Sequence, residues 1–154
     1  MIINEFRGEY AFLSNFHKSP VSYEGLVYPC VENAFQAQKC ADTEGKVKYI
    51  LQNNPVRAKM MGKKEKLPPD WDTRSVEIME KLLRAKFSDP TLSAALAATG
   101  DAVIVEGNRW HDNKWGRCTC DRCRDKESLN LMGNLLMKIR NEIIAGKLSG
   151  GNDV

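Results

Sequence analysis

The sequence predicts a mainly helical α+β domain with a few short strands. Three observations carry this reading. Apolar residues recur at three- and four-residue steps around positions 76–87 and 129–143, the period of an amphipathic helix. Asn54-Pro55 and Asp89-Pro90 each set an N-capping side chain before a first-turn proline, and Gly62 and Gly100 stand where those helices would stop. Segments of strand composition, by contrast, are few and short. At 154 residues, 42% hydrophobic and 28% charged, the chain suits one domain with a real core.

Taken in order, VSYEGLVYPC (21–30) is rich in Val and Tyr around a central Glu-Gly, and reads as a hairpin. VENAFQAQKCA (31–41) reads as a helix, followed by another from Pro55 to about Gly62. Asp70 or Asp72 caps a long helix whose apolar face holds Val76, Met79, Leu83 and Phe87. Asp89-Pro90 opens a helix running through LSAALAATG. AVIVE (102–106) is the one convincing buried strand. Leu129, Met132, Leu136, Ile139 and Ile143 mark a last helix ending near Gly146. Five or six helices result. The domain is expected to occupy residues 1–146, with 147–154 (KLSGGNDV) as a flexible tail.

No apolar run approaches the roughly 20 residues of a membrane span, so no membrane partner is expected. MIINEFRGEY lacks a basic leader followed by an apolar stretch. Together with five cysteines and no export signal, this predicts reduced thiols and a cytoplasmic location. A net charge of +3 permits a phosphate-bearing partner without requiring one.

Two segments concentrate unusual chemistry. On the 31–41 helix, Glu32, Gln36 and Lys39 form one stripe, while Val31, Ala34, Phe35, Ala37, Cys40 and Ala41 fill most of the circumference. A helix apolar nearly all round is buried, and a buried carboxylate or ammonium needs a partner. Glu32 and Lys39 are two turns apart, too far for an ideal pair. Spacing leaves two readings open: a solvent-facing edge, or the wall of a ligand pocket. The second segment, EGNRWHDNKWG (106–116), holds two of the three tryptophans and one of the two histidines. Trp110 and Trp115 flank Asp112 and Asn113. Indole rings stack on bases, and a carboxylate accepts from ribose hydroxyls or polarises water; equally, either indole can plug a core. Trp71, in PPDWD, is a packing staple or a pocket wall. His111 is a structural residue before it is a catalytic one.

RCTCDRC (117–123) spaces Cys118, Cys120 and Cys123 as C-x-C-x-x-C. Structural zinc takes four ligands, and a fourth would have to come from His111, Cys30, Cys40 or another chain; reduced free thiols are the expected state. RAKMMGKKEK (57–66) carries five cations and one acid. Such a run is a solvated face or, beside a nucleotide pocket, a phosphate-steering one.

FRGEYAFLSNF, YEGLVYPCVENAFQAQK, DWDTRSVEIMEKLLRAKF, LAATGDAVIVEGNRWHDNKWG and NLMGNLLMKIR resemble, in that order, the successive blocks of the NADAR (YbiA-like) family, over about residues 5–145. The resemblance implies a mostly helical fold, no redox cofactor, and cleavage of N-glycosidic bonds to ribose. Two substrate classes follow: ADP-ribose on modified guanine, free or in DNA or RNA, and the ribosylamino-pyrimidine phosphates of early riboflavin synthesis. It casts Glu32 as the essential acid and Lys39 as the conspicuous lysine. It carries over Trp110, Asp112, Trp115 and Gly116 from the aromatic loop. Arg7, Ser14, Asn15 and Phe16 are expected near phosphate and ribose, and Asn130 and Gly133 match the start of the last block. Gln36 and Trp71 complete the expected substrate-binding set. Two departures stand out: Asn33 where the family often has His, and the CTCDRC segment, which only part of the family carries. The competing classes are a non-catalytic ADP-ribose or nucleotide-binding module and a zinc-stabilised nucleic-acid module. The hydrolase reading asks Glu32 and the turn near Asp112 to serve one sugar.

Overall fold

Helices dominate the described residues, and every strand among them is two or three residues long. The computed structural model describes residues 1–147. In chain order the elements are β1 (Ile2–Ile3), β2 (Val21–Tyr23), β3 (Leu26–Tyr28), α1 (Val31–Ala37), α2 (Thr43–Leu51), α3 (Pro55–Gly62), α4 (Trp71–Lys86), α5 (Pro90–Ala97), β4 (Val103–Ile104), β5 (Gly107–Asn108), β6 (Arg117–Cys118) and α6 (Leu131–Ile144). Short 3-10 helices occupy Gly8–Leu13 and Asp121–Cys123. This is the mainly helical α+β class that the sequence predicts. The expected tail lies outside the described residues from position 148 onward.

The chain folds as two units, one from residues 15–86 and one from residues 1–14 with 87 onward. In the 15–86 unit, β2 and β3 form the expected hairpin with Val21 opposite Tyr28. Glu24 and Gly25 both take positive φ (49° and 85°), as a turn matching the strand twist requires. All seven residues of α1 are buried, and α1 packs on α2, α3 and α4. The Asn54 side chain accepts hydrogen bonds from the Val56 and Arg57 amides (2.9 and 3.4 Å), with Pro55 at the first helical position. Trp71 opens α4, so Asp70 is the flanking residue and Asp72 sits in the first turn, where its charge suits the helix dipole. Ile78, Met79, Leu82 and Leu83 of α4 are buried; each contributes about 1.5–3 kcal/mol by leaving water.

Three details depart from the sequence reading. The 31–41 helix ends at Ala37, because Lys39 and Cys40 donate to Gln36 and Ala37 in a tightened turn. Lys39 therefore lies on that turn. Helix α2 was not expected: only Tyr49 of its nine residues is buried, so no apolar period announces it. Its legible signal is Asp42, whose carboxylate accepts from the Gly45 amide at 2.8 Å. AVIVE is not a buried strand. Only Val103 and Ile104 pair, in parallel with Ile2 and Ile3, and Val103 is 47% exposed while Ile104 is buried. A two-stranded ribbon covers one side of the chain, so burial alternates.

In the unit formed by the chain ends, α6 packs on α5 and on β4. Its core includes Ile3, Leu13, Phe87, Leu96, Ile104, Met132, Leu136 and Ile139. The Phe12 and Phe87 rings meet edge to face, 6.4 Å between centroids. Arg140 is buried and donates to the Ala102 carbonyl (2.6 Å) and Thr99 Oγ1 (3.2 Å), tying α6 to the segment that leads into β4. β5 and β6 form a second parallel ribbon.

Candidate active site

Within the 15–86 unit the polar stripe of α1 is an interior feature. Glu32 is 8% exposed, and its Oε2 accepts from Gln36 Nε2 at 2.7 Å. Burial raises the Glu32 carboxyl above the usual carboxylate range, opposed by the Gln36 hydrogen bond and by Lys59 and Lys39. The Glu32 amide donates to the Asn15 carbonyl (3.0 Å), which brings the Asn15 segment alongside. Two buried acceptors here, Asn15 Oδ1 and Gln36 Oε1, have no hydrogen-bond partner among the described residues. A buried orphan acceptor costs about 1–3 kcal/mol, so each is a group that a donor would satisfy. Gly62 makes room for this arrangement: a Cβ there would collide with the Gln36 amide.

Lys39 does not pair with Glu32. Its Nζ donates to the Gly62 carbonyl at 3.3 Å and stands 5.9 Å from the Trp71 ring centroid. Burial lowers its pKa, opposed by Glu32 and Glu65. Trp71 is buried and tilted against Phe35, 5.3 Å between centroids, so it serves both the core and the lysine. Lys39 also lines a hollow of about 490 Å³ together with Lys46, Lys66, Arg74 and Glu24. Four cations face one acid there. Only Lys66 of the basic run at 57–66 takes part, and Glu32 does not line it.

Asn33, the departure from the family pattern, is a brace. Its Nδ2 donates to the carbonyls of Tyr49 (2.9 Å) and Gln52 (2.6 Å), and its Oδ1 accepts from the Cys30 thiol (3.2 Å). These bonds fix α1 to the end of α2. Phe16 is half-buried on the segment between Asn15 and the hairpin.

In the other unit the aromatic loop is held by asparagine and aspartate side chains. Buried Asn108 accepts from the amides of Trp110 (3.2 Å) and Asp112 (3.1 Å) and donates to the Asp112 carbonyl (2.8 Å). Asp112 Oδ1 accepts from the amides of Lys114 (3.0 Å) and Trp115 (2.8 Å). One carboxylate oxygen of Asp112 thus shapes the turn. Asn113 Oδ1 accepts from the Cys118 amide at 2.9 Å. Trp110 is 61% exposed, so it is no core plug; Trp115 is half-buried, with Lys114 Nζ 5.6 Å from its ring. Gly116 is buried, and a Cβ there would meet the Glu106 carbonyl. Asn130 has a left-handed backbone (φ 46°), and its amide bridges the Ile104 carbonyl and the Glu106 N–H (2.9 and 3.0 Å). Arg7 is exposed and Ser14 half-buried, at the two ends of the first 3-10 helix. His111 Nδ1 approaches the sulfurs of Cys118, Cys120 and Cys123, a set of metal-ligand types.

The structure thus gathers Asn15, Glu32, Gln36, Lys39 and Trp71 in one unit, and Trp110, Asp112, Trp115 and Gly116 on one loop of the other. Sequence reasoning missed Lys86. It is 1% exposed, and burial pushes its amine down to about 7, opposed by Cys30. The signal was present: Lys86 follows Met79, Leu82 and Leu83 by seven, four and three positions, which puts it on the apolar face. Asn108 was missed too, because no spacing distinguishes a loop-bracing asparagine.

Residues 3–144 match the NADAR domain, and the chain belongs to that family. It is 33% identical over 142 residues to N-glycosidase YbiA of Escherichia coli (strain K12), spanning 90% of this chain and 85% of that one. An N-glycosidase of Nostoc punctiforme is 30% identical, over 87% of this chain and 86% of that one. The chloroplastic riboflavin biosynthesis protein PYRR of Zea mays is 31% identical over 77% of this chain and 20% of that much longer one. The NMR structure of Escherichia coli YbiA matches with a TM-score of 0.77 at 31% identity, over 96% of this chain and 88% of that chain. No helix among the described residues is long and apolar enough to cross a membrane.

Proposed function

We propose that the protein is an N-glycosidase that hydrolyses a ribosyl C1′–N bond, with ADP-ribose on a modified guanine, in nucleoside or nucleic acid, as its substrate. The observation that carries the reading is Glu32: a buried carboxyl with a raised pKa, on the helix that leads to a cationic hollow, in the unit that also holds two orphan acceptors. Relatives named N-glycosidases supply the reaction class.

As the C1′–N bond breaks, positive charge builds on the ribose, and a carboxylate held near the anomeric carbon stabilises it. Glu32 takes that role, or accepts the proton of the attacking water; Asn15 Oδ1 and Gln36 Oε1 accept ribose hydroxyls. Water adds to C1′, and the base leaves with a proton. Asp112 orients a ribose hydroxyl or the water through the carboxylate oxygen its turn does not use, and Trp110 or Trp115 stacks on the base. Arg7, Ser14, Phe16 and Asn130 belong to the substrate-binding set, as the family pattern implies. Lys39, Lys46, Lys66 and Arg74 meet the phosphates, and four cations suit a diphosphate better than a single phosphate. Lys39 has a second role open to it: a neutral amine attacks C1′, the base departs, and the sugar opens to an imine that water then releases. Borohydride separates the two, since an adduct that disappears in Lys39→Ala marks the imine route and no adduct marks direct attack by water.

A second substrate class is favoured by one finding, the similarity to PYRR: a ribosylamino-pyrimidine phosphate, whose C1′–N bond the same chemistry would cut. The deciding experiment incubates the protein with ADP-ribosylated guanosine and with such a phosphate in parallel and follows release of free ADP-ribose or ribose phosphate by mass spectrometry. Release of ADP-ribose, lost in Glu32→Gln while ligand binding persists, is the expected result. Saturable binding without product from either compound would make the protein a binding module instead. Lys66→Ala and Arg74→Ala should raise KM for the phosphorylated substrate with little change in kcat, since they hold parts of it that do not react.

A further inference from the structure

The aromatic loop closes on a cluster that the proposed hydrolysis does not use. His111 Nδ1 lies 3.4 Å from Cys123 Sγ, 3.4 Å from Cys120 Sγ and 3.8 Å from Cys118 Sγ. All four atoms fall within 4.8 Å of one another. An imidazole nitrogen has one bonding direction in the ring plane, either an N–H or a lone pair. It cannot hydrogen-bond three sulfurs at once. A cation at the centre of the four accounts for the grouping. With Zn–S at about 2.3 Å and Zn–N at about 2.0–2.1 Å, the corners of a tetrahedron stand roughly 3.6–3.8 Å apart, close to the 3.4–3.8 Å between His111 Nδ1 and the three sulfurs.

We propose that His111, Cys118, Cys120 and Cys123 bind one structural zinc ion as a closed Cys3His tetrahedron. Three thiolates and a neutral imidazole are the donors such an ion selects. Binding releases the protons still held by the three thiols, and the complex carries a net charge of −1. Arg117 and Arg122 in the same segment offset that charge, while Arg124 pairs with Asp121. Four protein ligands leave no position for water, so the ion anchors the chain and takes no part in catalysis.

The local architecture is suited to the task. Cys118 lies on β6, Cys120 precedes the 3-10 helix and Cys123 ends it, so the short helix wraps the second and third sulfurs around one point. His111 has a left-handed backbone (φ 69°), unfavourable for a non-glycine residue; metal ligation compensates that cost. Since His111 stands between Trp110 and Asp112, the ion would clamp the aromatic loop to the β5–β6 ribbon, adding to the bonds Asn108 makes to the same loop. Sequence spacing alone left the fourth ligand open, and the fold supplies it from seven residues upstream of the first thiol.

The test uses the full chain, purified under reducing conditions with zinc supplied, and elemental analysis should find one zinc per chain. After metal removal under reducing conditions, cobalt(II) titration should give the visible bands of tetrahedral cobalt and thiolate-to-cobalt charge transfer, saturating at one equivalent and bleached by zinc. Cys120→Ser and His111→Ala replace the half-buried and exposed ligands, so they spare the core; both should lose the bands, and Cys40→Ser should keep them. Zinc well below one per chain without cobalt bands, a stable disulfide among the three cysteines under the same reducing conditions, or full cobalt binding in both ligand variants would each overturn the site. Every readout is metal binding, so failure of the glycosidase assay leaves this result standing.

Discussion

At the scale of single residues, the decisive feature is a carboxyl that has left water. Its hydrogen bond from Gln36 is the chief interaction favouring the charged form of Glu32 against burial. Gln36→Met fills similar volume without that bond, so the Glu32 pKa should rise further and the ascending limb of the pH–rate profile should move to higher pH. An unmoved limb would assign it to another group. Asp112 separates shape from charge. Asp112→Asn keeps an oxygen for the Lys114 and Trp115 amides but loses the charge; Asp112→Ala loses both. Turnover should fall by about 10²-fold or more in each, as for loss of an acid–base or orienting group, while only the alanine variant should also lose roughly 1–2 kcal/mol of stability in denaturant melts. Full activity in Asp112→Asn would reduce Asp112 to a loop brace.

Between elements, glycines set how closely pieces approach. Gly133 lies in α6 where a Cβ would strike the Ile104 carbonyl of β4 and the Asn130 amide. An exposed helix glycine replaced by alanine gains about 1 kcal/mol. Here the sign should reverse: Gly133→Ala should destabilise by roughly 1–3 kcal/mol, as overpacking does, and lower Tm in calorimetry. A raised Tm would mean that α6 moves off β4 freely. The elements also show where periodicity speaks. α3, α4, α5 and α6 are legible because caps, prolines and apolar steps agree. α2 is silent because almost none of it is buried, and AVIVE misleads because composition cannot tell a two-stranded ribbon from a core strand.

For the molecule as a whole, Lys86 ties stability to pH. Its amine titrates near 7 when folded and near the ordinary 10.5 when unfolded. Between those values the unfolded chain holds a proton that the folded chain lacks, so stability from this group rises with pH, by up to about 1.4 kcal/mol per pH unit. Below about pH 7 both states are protonated and the contribution levels off at its least favourable value. Lys86→Met should flatten this part of the curve in urea melts run from pH 7 to 10. An unchanged slope would show that the buried amine stays charged. The NADAR match, residues 3–144, includes residues of both units of the fold.

The sequence by itself determined the fold class, the hairpin and five of the helices, because local propensity and burial period are written in neighbouring residues, and its ordered blocks marked the family. Composition marked the aromatic loop, and the family resemblance marked the candidate acid. Only the tertiary structure decided what those side chains touch. Gln36 takes Glu32 and leaves Lys39 to a carbonyl; Asn33 becomes a brace; Asp112 spends one oxygen on its own turn; His111 meets three thiols; Lys86 goes inside. Each outcome depends on partners up to about two dozen positions away in the chain or on desolvation by the surrounding core, and neither quantity has a period that a linear sequence displays.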